Sequence, residues 1–194
     1  CSSDLIILMG IKHCGKSTQC RIISKKLSVP FFDTDDVVFE MTGKTPRQIY
    51  TELGNEGFQE AEEKACSFLL EKINSSAEKN AVIATGGGIC GNKKALDVLK
   101  KIGTFVFLKT PERIASFRVL REISVAQDGT LLNVPAFIAK KNPRSVADAK
   151  KIFHDFFIER ECIYEQLADV VIDMSSSSKE ANAAKIIESV SSKV

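Results

Sequence analysis

The sequence lacks tryptophan, and none of its six cysteines forms a C-x-x-C pair with another. Neither a structural zinc site nor a thioredoxin-like redox pair is therefore indicated. A chain of 194 residues is long enough to bury a core without disulfide staples. We therefore expect free thiols in a reducing compartment, the cytoplasm.

Long apolar runs and an excess of charge of one sign are also missing. The longest unbroken apolar run covers residues 5–9, far short of the ~20 residues that a membrane span needs. With 27 basic and 25 acidic residues the net charge is +2, and no basic run is interleaved with aromatic residues. These absences argue against a membrane protein and against a nucleic-acid-binding protein. No internal repeat is visible, so we expect one domain over residues 1–194, acting as a monomer.

Apolar runs alternate with amphipathic helical stretches, which is typical of an α/β protein with a parallel sheet. Strands are predicted at 5–9, 29–32, 81–85, 104–108 and 169–173. Helices are predicted at 16–27, 46–53, 57–73, 93–102, 112–122, 146–168 and 179–190. Four of the strands are nearly continuous apolar runs, which indicates cover on both faces. Pro30 makes the second strand short or places it at a sheet edge.

Two predicted segments bear on function. The helix at 57–73 places Phe58, Ala61, Ala65, Phe68 and Leu69 on one stripe, with acidic residues opposite. Between residues 124 and 145 the periodicity is lost. A long irregular segment of this kind indicates either a functional lid or a floppy insertion.

Residues 10–17 read GIKHCGKS and fit the pattern G-x-x-x-x-G-K-[ST] between a strand and a helix. Glycines let the backbone curl so that its N–H groups point at phosphate oxygens, and the helix adds its positive end. Lys16 can reach the β- and γ-phosphates of ATP, and the Ser17 hydroxyl can ligate Mg²⁺. The predicted nucleotide-binding residues are Gly10, His13, Cys14, Gly15, Lys16, Ser17 and Thr18.

The stretch FFDTDD, residues 31–36, follows the second predicted strand. Loops at strand ends of open parallel sheets face the ligand crevice, and extended alternation puts Asp33 and Asp35 on one side, with Asp36 opposite. One carboxylate can hold magnesium through water, while the other accepts a hydrogen bond from an acceptor hydroxyl and deprotonates it. The same residues can instead form an acidic turn that caps the next helix.

Three glycines in the stretch TGGGICG, residues 85–91, follow the third predicted strand. Gly86, Gly88 and Gly91 match the dinucleotide-binding fingerprint, but Lys109 stands where that fingerprint wants an acidic residue. The alternative use of three glycines is close approach of the backbone to a small ligand. The phosphate loop nearby favours this alternative.

Taken as a set, these motifs resemble those of shikimate kinases. They read GIKHCGKST, FFDTDD followed by TGKTP, GNEGFQEAEE, ATGGG and RECIYEQLAD, in order over nearly the whole chain. The resemblance implies a three-layer P-loop kinase fold, with a five-stranded parallel sheet, helices on both faces and an ATP lid at about 124–145. It implies transfer of the γ-phosphoryl group of ATP to the 3-hydroxyl of shikimate, with Mg²⁺ as cofactor.

Carried over by position, the resemblance assigns Lys16 and Ser17 to the phosphates and magnesium, and Asp33 to the metal. It assigns Asp35 to activation of the shikimate hydroxyl, and Arg160 to the shikimate carboxylate. The acceptor-binding residues implied are Asp35, Gln59, Gly86, Gly87, Gly88 and Arg160. Apart from the resemblance, Arg160 is most simply a surface arginine among acidic neighbours.

Two positions depart from the family pattern. Gln59 stands where the family has the arginine of G-E-x-x-F-R, and Val134 where the lid has the arginine of R-P-L-L. Candidate replacement cations are Arg47, Arg118, Arg121, Lys140 and Arg144. Three readings stay open: a shikimate kinase, a kinase of the same fold for another small hydroxylated acceptor, and a nucleotide-binding module without kinase activity. The retained Asp35 and triple glycine argue against the last.

Overall fold

Strands and helices alternate along the chain in the computed structural model, which describes residues 5–174 and 178–192. The strands are β1 (Leu5–Met9), β2 (Phe31–Asp33), β3 (Ala81–Ala84), β4 (Gly103–Lys109), β5 (Ser124–Val125), β6 (Leu131–Leu132) and β7 (Val170–Asp173). The helices are α1 (Lys16–Leu27), α2 (Thr34–Thr42), α3 (Pro46–Ser75), α4 (Lys93–Lys100), α5 (Glu112–Leu120), α6 (Ala136–Ala139), α7 (Val146–Leu167) and α8 (Lys179–Ser191). A short 3-10 turn covers Ile89–Gly91.

The main sheet has five parallel strands in the order β2-β3-β1-β4-β7, which confirms the predicted fold class. All of β1 is buried, because it lies in the middle of the sheet with helices around it. The second strand is short and lies at the sheet edge, as Pro30 predicts. It begins after Pro30, at Phe31, and the Pro30 carbonyl accepts a hydrogen bond from Val82 N at 3.0 Å.

The sequence analysis missed α2. Asp33 is its N-cap, and Asp33 Oδ1 accepts a hydrogen bond from Asp35 N at 3.1 Å. The prediction that residues 33–36 continue as extended chain is therefore wrong, because Thr34 already begins the helix. Asp33 does cap a helix, as the alternative reading has it, but the helix is α2 and not the predicted helix at 46–53. Asp35 lies in the first turn of α2.

Helix α3 combines the two helices predicted at 46–53 and 57–73. Gly54 divides it at a kink, with φ 71° and ψ −166° inside an otherwise helical run. This φ favours glycine, since an L side chain rarely adopts it. Thr45 and Gln48 form a capping box at the start of α3. The kink redirects the second half of the helix, which carries Gln59.

The segment at 124–145 is folded, and the prediction of lost regular structure is wrong in part. Strands β5 and β6 form a small antiparallel ladder, and α6 follows. Ile138 on α6 is fully buried, and the Phe137 ring stacks on Phe156 of α7 with centroids 4.0 Å apart. Elements of two and four residues are too short to produce a periodic pattern in the sequence.

The state of the cysteines and the presence of membrane-spanning helices can both be examined in the structure. The cysteines at positions 14, 20, 66, 90 and 162 are free, and Cys1 lies outside the described residues. In the described ranges 5–174 and 178–192, no helix combines the length and apolar character that a membrane crossing requires.

Candidate active site

The phosphate loop connects the buried end of β1 to the first residue of α1. Three of its residues have a left-handed backbone, with φ 145° at Gly10, 66° at His13 and 106° at Gly15. Gly10 also lies so close to its neighbours that a Cβ there would approach Cys14 Sγ to 2.7 Å. The two glycines of the motif therefore meet a conformational requirement, and Gly10 a steric one as well.

Lys16 and Ser17 open α1 beneath this loop. Lys16 is 8% exposed, and its Nζ donates hydrogen bonds to Gly10 O at 2.8 Å and Ile11 O at 3.0 Å. Ser17 Oγ donates a hydrogen bond to Asp33 Oδ2 at 2.7 Å. The structure thus brings together the serine and the carboxylate that the sequence assigned to a metal.

Two cavities flank this arrangement. The first has a volume of about 530 Å³ and holds the phosphate loop at one end. Its lining includes Lys12, His13, Cys14, Gly15, Lys16, Ser17, Thr18, Asp33, Asp35, Gly87, Arg118 and Arg121. Arg118 Nη1 donates a hydrogen bond to His13 O at 2.8 Å. Two of the five candidate replacement cations, Arg118 and Arg121, therefore line the first cavity together with residues 12–18.

The second cavity has a volume of about 610 Å³ and lies on the other side of Asp35. Its lining includes Lys12, Asp35, Arg47, Tyr50, Phe58, Gln59, Glu62, Gly86, Gly87, Gly88, Lys140, Phe156 and Arg160. The candidate cations Arg47 and Lys140 belong to this lining, and Arg144 lies outside both sets. Asp35, Lys12 and Gly87 line both cavities, so the two spaces meet at these residues.

Asp35 is the carboxyl group at this junction. Burial, and then the nearby Asp33 carboxylate, raise the pKa of Asp35 to about 6. Such a carboxyl group is still ionised at neutral pH and is a stronger base than an ordinary aspartate.

The glycines after β3 pack against the junction. A Cβ at Gly86 would lie 2.8 Å from Asp35 Oδ1 and 3.0 Å from Glu62 Oε1, and one at Gly87 would lie 2.9 Å from Lys12 N. The groups that Gly86 and Gly87 approach belong to the protein, so the close approach of these glycines to a small ligand stays a prediction.

Arg160 of α7 forms a wall of the second cavity and is only partly exposed. Its Nη1 donates a hydrogen bond to Cys90 Sγ at 2.7 Å, and its guanidinium carbon lies 5.2 Å from the Phe156 ring centroid. Tyr164, one turn further along α7, donates a hydrogen bond from its hydroxyl to Gly87 O at 3.0 Å. The reading of Arg160 as a free surface arginine is therefore wrong. Sequence reasoning did not identify the Cys90 contact, which joins residues far apart in the chain.

Gln59 and Glu62 lie on α3 beside the same cavity. Gln59 Nε2 donates a hydrogen bond to Gly91 O at 2.8 Å. Asn92 Nδ2 donates to the backbone oxygen of Gln59 at 2.8 Å and to Glu62 Oε2 at 2.9 Å. Glu62 is 1% exposed, and burial raises the pKa of its carboxyl group to about 7 despite the Asn92 hydrogen bond.

Sequence reasoning placed acidic side chains opposite the apolar stripe of this helix, and for Glu62 that placement is wrong. Glu62 stands four residues after Phe58 and three before Ala65, so it belongs to the stripe itself. This spacing could have predicted that Glu62 is buried. The EAEE run around Glu62 obscured it, since adjacent glutamates normally face solvent.

Comparisons with known proteins agree with this geometry. The shikimate kinase family model matches residues 12–191. A shikimate kinase from Caldanaerobacter subterraneus is 32% identical over 182 residues, covering 94% of this chain and 93% of the relative. Shikimate kinase 1 from Hamiltonella defensa is 32% identical over 184 residues, covering 94% and 93%.

Solved structures give the same result. A shikimate kinase from Acinetobacter baumannii, in complex with shikimate, superposes with a TM-score of 0.76 at 25% identity, covering 98% of this chain and 94% of that one. The enzyme from Aquifex aeolicus superposes with a TM-score of 0.67 at 30% identity, covering 97% of each chain. The chain therefore belongs to the shikimate kinase family of ATP-dependent kinases.

Proposed function

We propose that this protein transfers the γ-phosphoryl group of ATP to the 3-hydroxyl of shikimate. The observation that carries the proposal is the position of Asp35, which lines both cavities at the point where they meet. A nucleotide in the first cavity and a hydroxylated acid in the second would present their reacting atoms to the same carboxyl group.

On the nucleotide side, the loop N–H groups and the start of α1 hold the phosphates. Lys16 exchanges its contacts with Gly10 O and Ile11 O for phosphate oxygens, since its Nζ lies within the loop that cradles them. Arg118 and Arg121 line the same cavity and supply further positive charge there. This charge replaces that of the family's lid arginine, whose position is occupied by Val134 in this chain.

Ser17 and Asp33 fit a magnesium site. Their oxygens are hard donors already hydrogen-bonded at 2.7 Å. Magnesium is commonly bound by one or two carboxylates together with substrate phosphates. Within residues 5–174 and 178–192, no three acidic, histidine or cysteine side chains form a cluster that could hold a metal by themselves. When bound, the ion offsets negative charge on the phosphates.

At the junction, the oxygen of the 3-hydroxyl forms a bond to the γ-phosphorus, and Asp35 accepts the proton that this hydroxyl loses. The bond from that phosphorus to the β,γ-bridging oxygen breaks, ADP leaves with the electron pair, and Asp35 then returns the proton to water. General base catalysis of this kind contributes about 10²- to 10⁴-fold to a rate. The raised pKa of Asp35 suits it to this role near neutral pH.

On the acceptor side, Arg160 binds the shikimate carboxylate through its planar fork. Gln59 provides no charge at the position where the family has a second arginine, and its amide donates to Gly91 O. Losing one charge-assisted hydrogen bond weakens binding by about 10- to 150-fold. Arg47 and Lys140 line the same cavity. We propose that their positive charges replace part of the binding energy that the missing arginine would supply.

The proposal includes a monomeric enzyme of the cytoplasm. The phosphate loop, Asp35 and Arg160 of one chain line the two cavities, which supports a site contained within one subunit. Five free thiols are typical of a reducing compartment. Sedimentation of the purified protein with and without ATP tests the monomer directly.

An acceptor panel with ATP and Mg²⁺ tests the activity. Shikimate and other small hydroxylated acids are compared by ADP release, and the phosphorylated carbon is located by phosphorus–proton NMR. Asp35→Asn should lower turnover by about 10²- to 10⁴-fold. The matched control is Asp36→Asn, because Asp36 is exposed and lines neither cavity. Turnover of another acid without turnover of shikimate would refute the assignment of shikimate as the acceptor. Absence of turnover with every acid in the panel would refute the kinase activity.

A further inference from the structure

One lysine to which the sequence assigned no role lines both cavities. Within the part of the chain that the structure describes, Lys12 is the single lysine or arginine that lines the first cavity and also the second. Lys16 lines the first cavity only, as do Arg118 and Arg121. Arg160 lines the second cavity only. The phosphoryl group starts on the nucleotide in one cavity and ends on the acceptor in the other, so a cation that binds it throughout must stand where the two spaces meet.

The backbone and the charge of Lys12 both belong to this junction. A Cβ at Gly87 would lie 2.9 Å from Lys12 N and 3.3 Å from Lys12 Cα, so the phosphate loop packs directly against the glycines that follow β3. Burial and Asp33 raise the pKa of Asp35, while the positive charges of Lys16 and Lys12 oppose this rise. The charge of Lys12 therefore acts on the carboxyl group that faces both cavities.

The ammonium group of Lys12 has a partner that a substrate can replace. Lys12 Nζ pairs with Glu122 Oε2 at 3.2 Å, and the two side chains are 54% and 39% exposed. An exposed ion pair of this kind contributes little to stability, so anionic phosphoryl oxygens can take the place of the Glu122 carboxylate at low cost. The flexible four-carbon stem of lysine allows the ammonium group to change partners. Lys12 is thus a positive charge held beside the junction and available to a group that reacts there.

We propose that Lys12 is a catalytic residue of this kinase: its ammonium group binds the oxygens of the γ-phosphoryl group while that group passes from ATP to the acceptor. The inference rests on the proposed function. The transfer itself is unchanged: the acceptor oxygen bonds to the γ-phosphorus, the bond to the β,γ-bridging oxygen breaks with its electron pair left on ADP, and Asp35 accepts the hydroxyl proton. Lys12 keeps its three protons throughout and stabilises the charge that develops at the junction. Arg118 and Arg121 act on the nucleotide side alone, because neither lines the second cavity.

Lys12→Met tests this charge. We would measure the single-turnover rate of phosphoryl transfer from ATP to shikimate with Mg²⁺ and excess enzyme, so that product release does not mask the chemical step. The rate should fall by about 10²- to 10³-fold, the usual loss when one preorganised donor to the developing charge is removed. The Kd of ADP, which lacks the γ-phosphoryl group, and the KM for shikimate should each change by less than about 3-fold, because the contact forms during transfer. Lys12→Arg keeps the charge and should stay within about 10-fold of the native rate.

Three further variants separate a catalytic role from a structural one. Lys64→Met is the matched control and should keep the native rate, since the exposed Lys64 pairs with Glu60 and lies outside both cavities. Glu122→Gln removes the resting partner of Lys12 but leaves the ammonium group, so the rate should stay within about 3-fold of the native one. A loss in Glu122→Gln as large as that in Lys12→Met would mean that the ion pair is merely structural and would overturn the inference. If Lys12→Met does not fold, Lys12→Gln replaces it with the same expected loss.

The outcomes separate this inference from the proposed function. Turnover of shikimate by the native protein together with a native rate in Lys12→Met would overturn the inference and keep the function. An equal loss in the transfer rate and in the affinity for ADP would mean that Lys12 only binds the nucleotide, and this result would also overturn the inference. If the native protein phosphorylates another acid instead of shikimate, the acceptor assignment fails, and the same loss measured with that acid would keep the inference. Absence of turnover with every acid in the panel would refute the kinase activity and the inference with it.

Discussion

Replacing Glu62 with glutamine should stabilise the protein at alkaline pH and leave it nearly unchanged at acid pH. The pKa of Glu62 rises from 4.5 to about 7 on folding, mainly through burial. Between these values the folded state holds a proton that the unfolded state has lost. The free energy of unfolding therefore falls as pH rises through this interval, and the carboxyl group destabilises the fold most above pH 7.

The size of this effect on the free energy of unfolding follows from the difference between the pKa values of Glu62 in the unfolded and folded states. One pKa unit corresponds to about 1.4 kcal/mol, so the shift of Glu62 costs about 3 kcal/mol of folding free energy above pH 7. Glutamine matches the shape of glutamate, and its carbonyl oxygen can keep the hydrogen bond from Asn92. Glu62→Gln should thus recover most of this amount at pH 8 and almost none at pH 4.5.

Urea unfolding of both proteins at several pH values between 4.5 and 8 measures this difference. Glu60→Gln is the control, and its unfolding midpoint should follow that of the native protein at each pH because surface ion pairs contribute little. Burial of Asp35 adds a pH dependence of its own, so the difference between the native protein and Glu62→Gln is the quantity to compare. Parallel stability curves for the native protein and Glu62→Gln would refute the reasoning, because they would mean that Glu62 ionises normally in the folded state.

Four other changes have defined outcomes. Lys16→Met should lower turnover by about 100- to 1,000-fold, because it removes a preorganised positive charge; ADP release measures this, and unchanged turnover would contradict the nucleotide site. Arg160→Lys should raise the KM for shikimate sharply and leave the KM for ATP nearly unchanged, since lysine cannot form two parallel bonds to a carboxylate. Gln59→Arg should lower the KM for shikimate, because it adds a positive charge beside the second cavity; an activity that the native protein lacks would indicate another natural acceptor, and an unchanged KM would contradict the placement of position 59 at the acceptor. Hydrogen exchange in residues 124–145 should slow when ATP binds, and equal exchange in both states would mean that this segment is not a lid.

The parts of the fold that the sequence predicts well depend on local patterns. The strand, loop and helix around Gly15 are encoded within a few residues, and α1 begins and ends where predicted. The central strands could be recognised because both of their faces are buried. The start of α2 could not be recognised from the sequence. Asp33 is both the last residue of β2 and the N-cap of α2, so no turn residue separates the two elements.

The residues that line the second cavity, which we assign to the acceptor, could be predicted only through the resemblance. Arg160 comes from α7, Gln59 from α3 and Asp35 from α2, so the cavity depends on contacts between distant segments. Nothing in the residues around Arg160 indicates that Cys90, 70 positions earlier, accepts its hydrogen bond. Local sequence patterns identify candidate functional groups, and packing determines which of them line the same cavity.

Gly86 connects the local pattern with the distant contacts. Its sequence context allowed either a dinucleotide fingerprint or close approach to a small ligand. In the structure its missing side chain leaves room for Asp35 and Glu62, whose oxygens would each lie within 3.0 Å of a Cβ. An alanine there would have to displace one carboxyl group or both. Glycine at position 86 therefore lets two acidic side chains, one from α2 and one from α3, approach the same point.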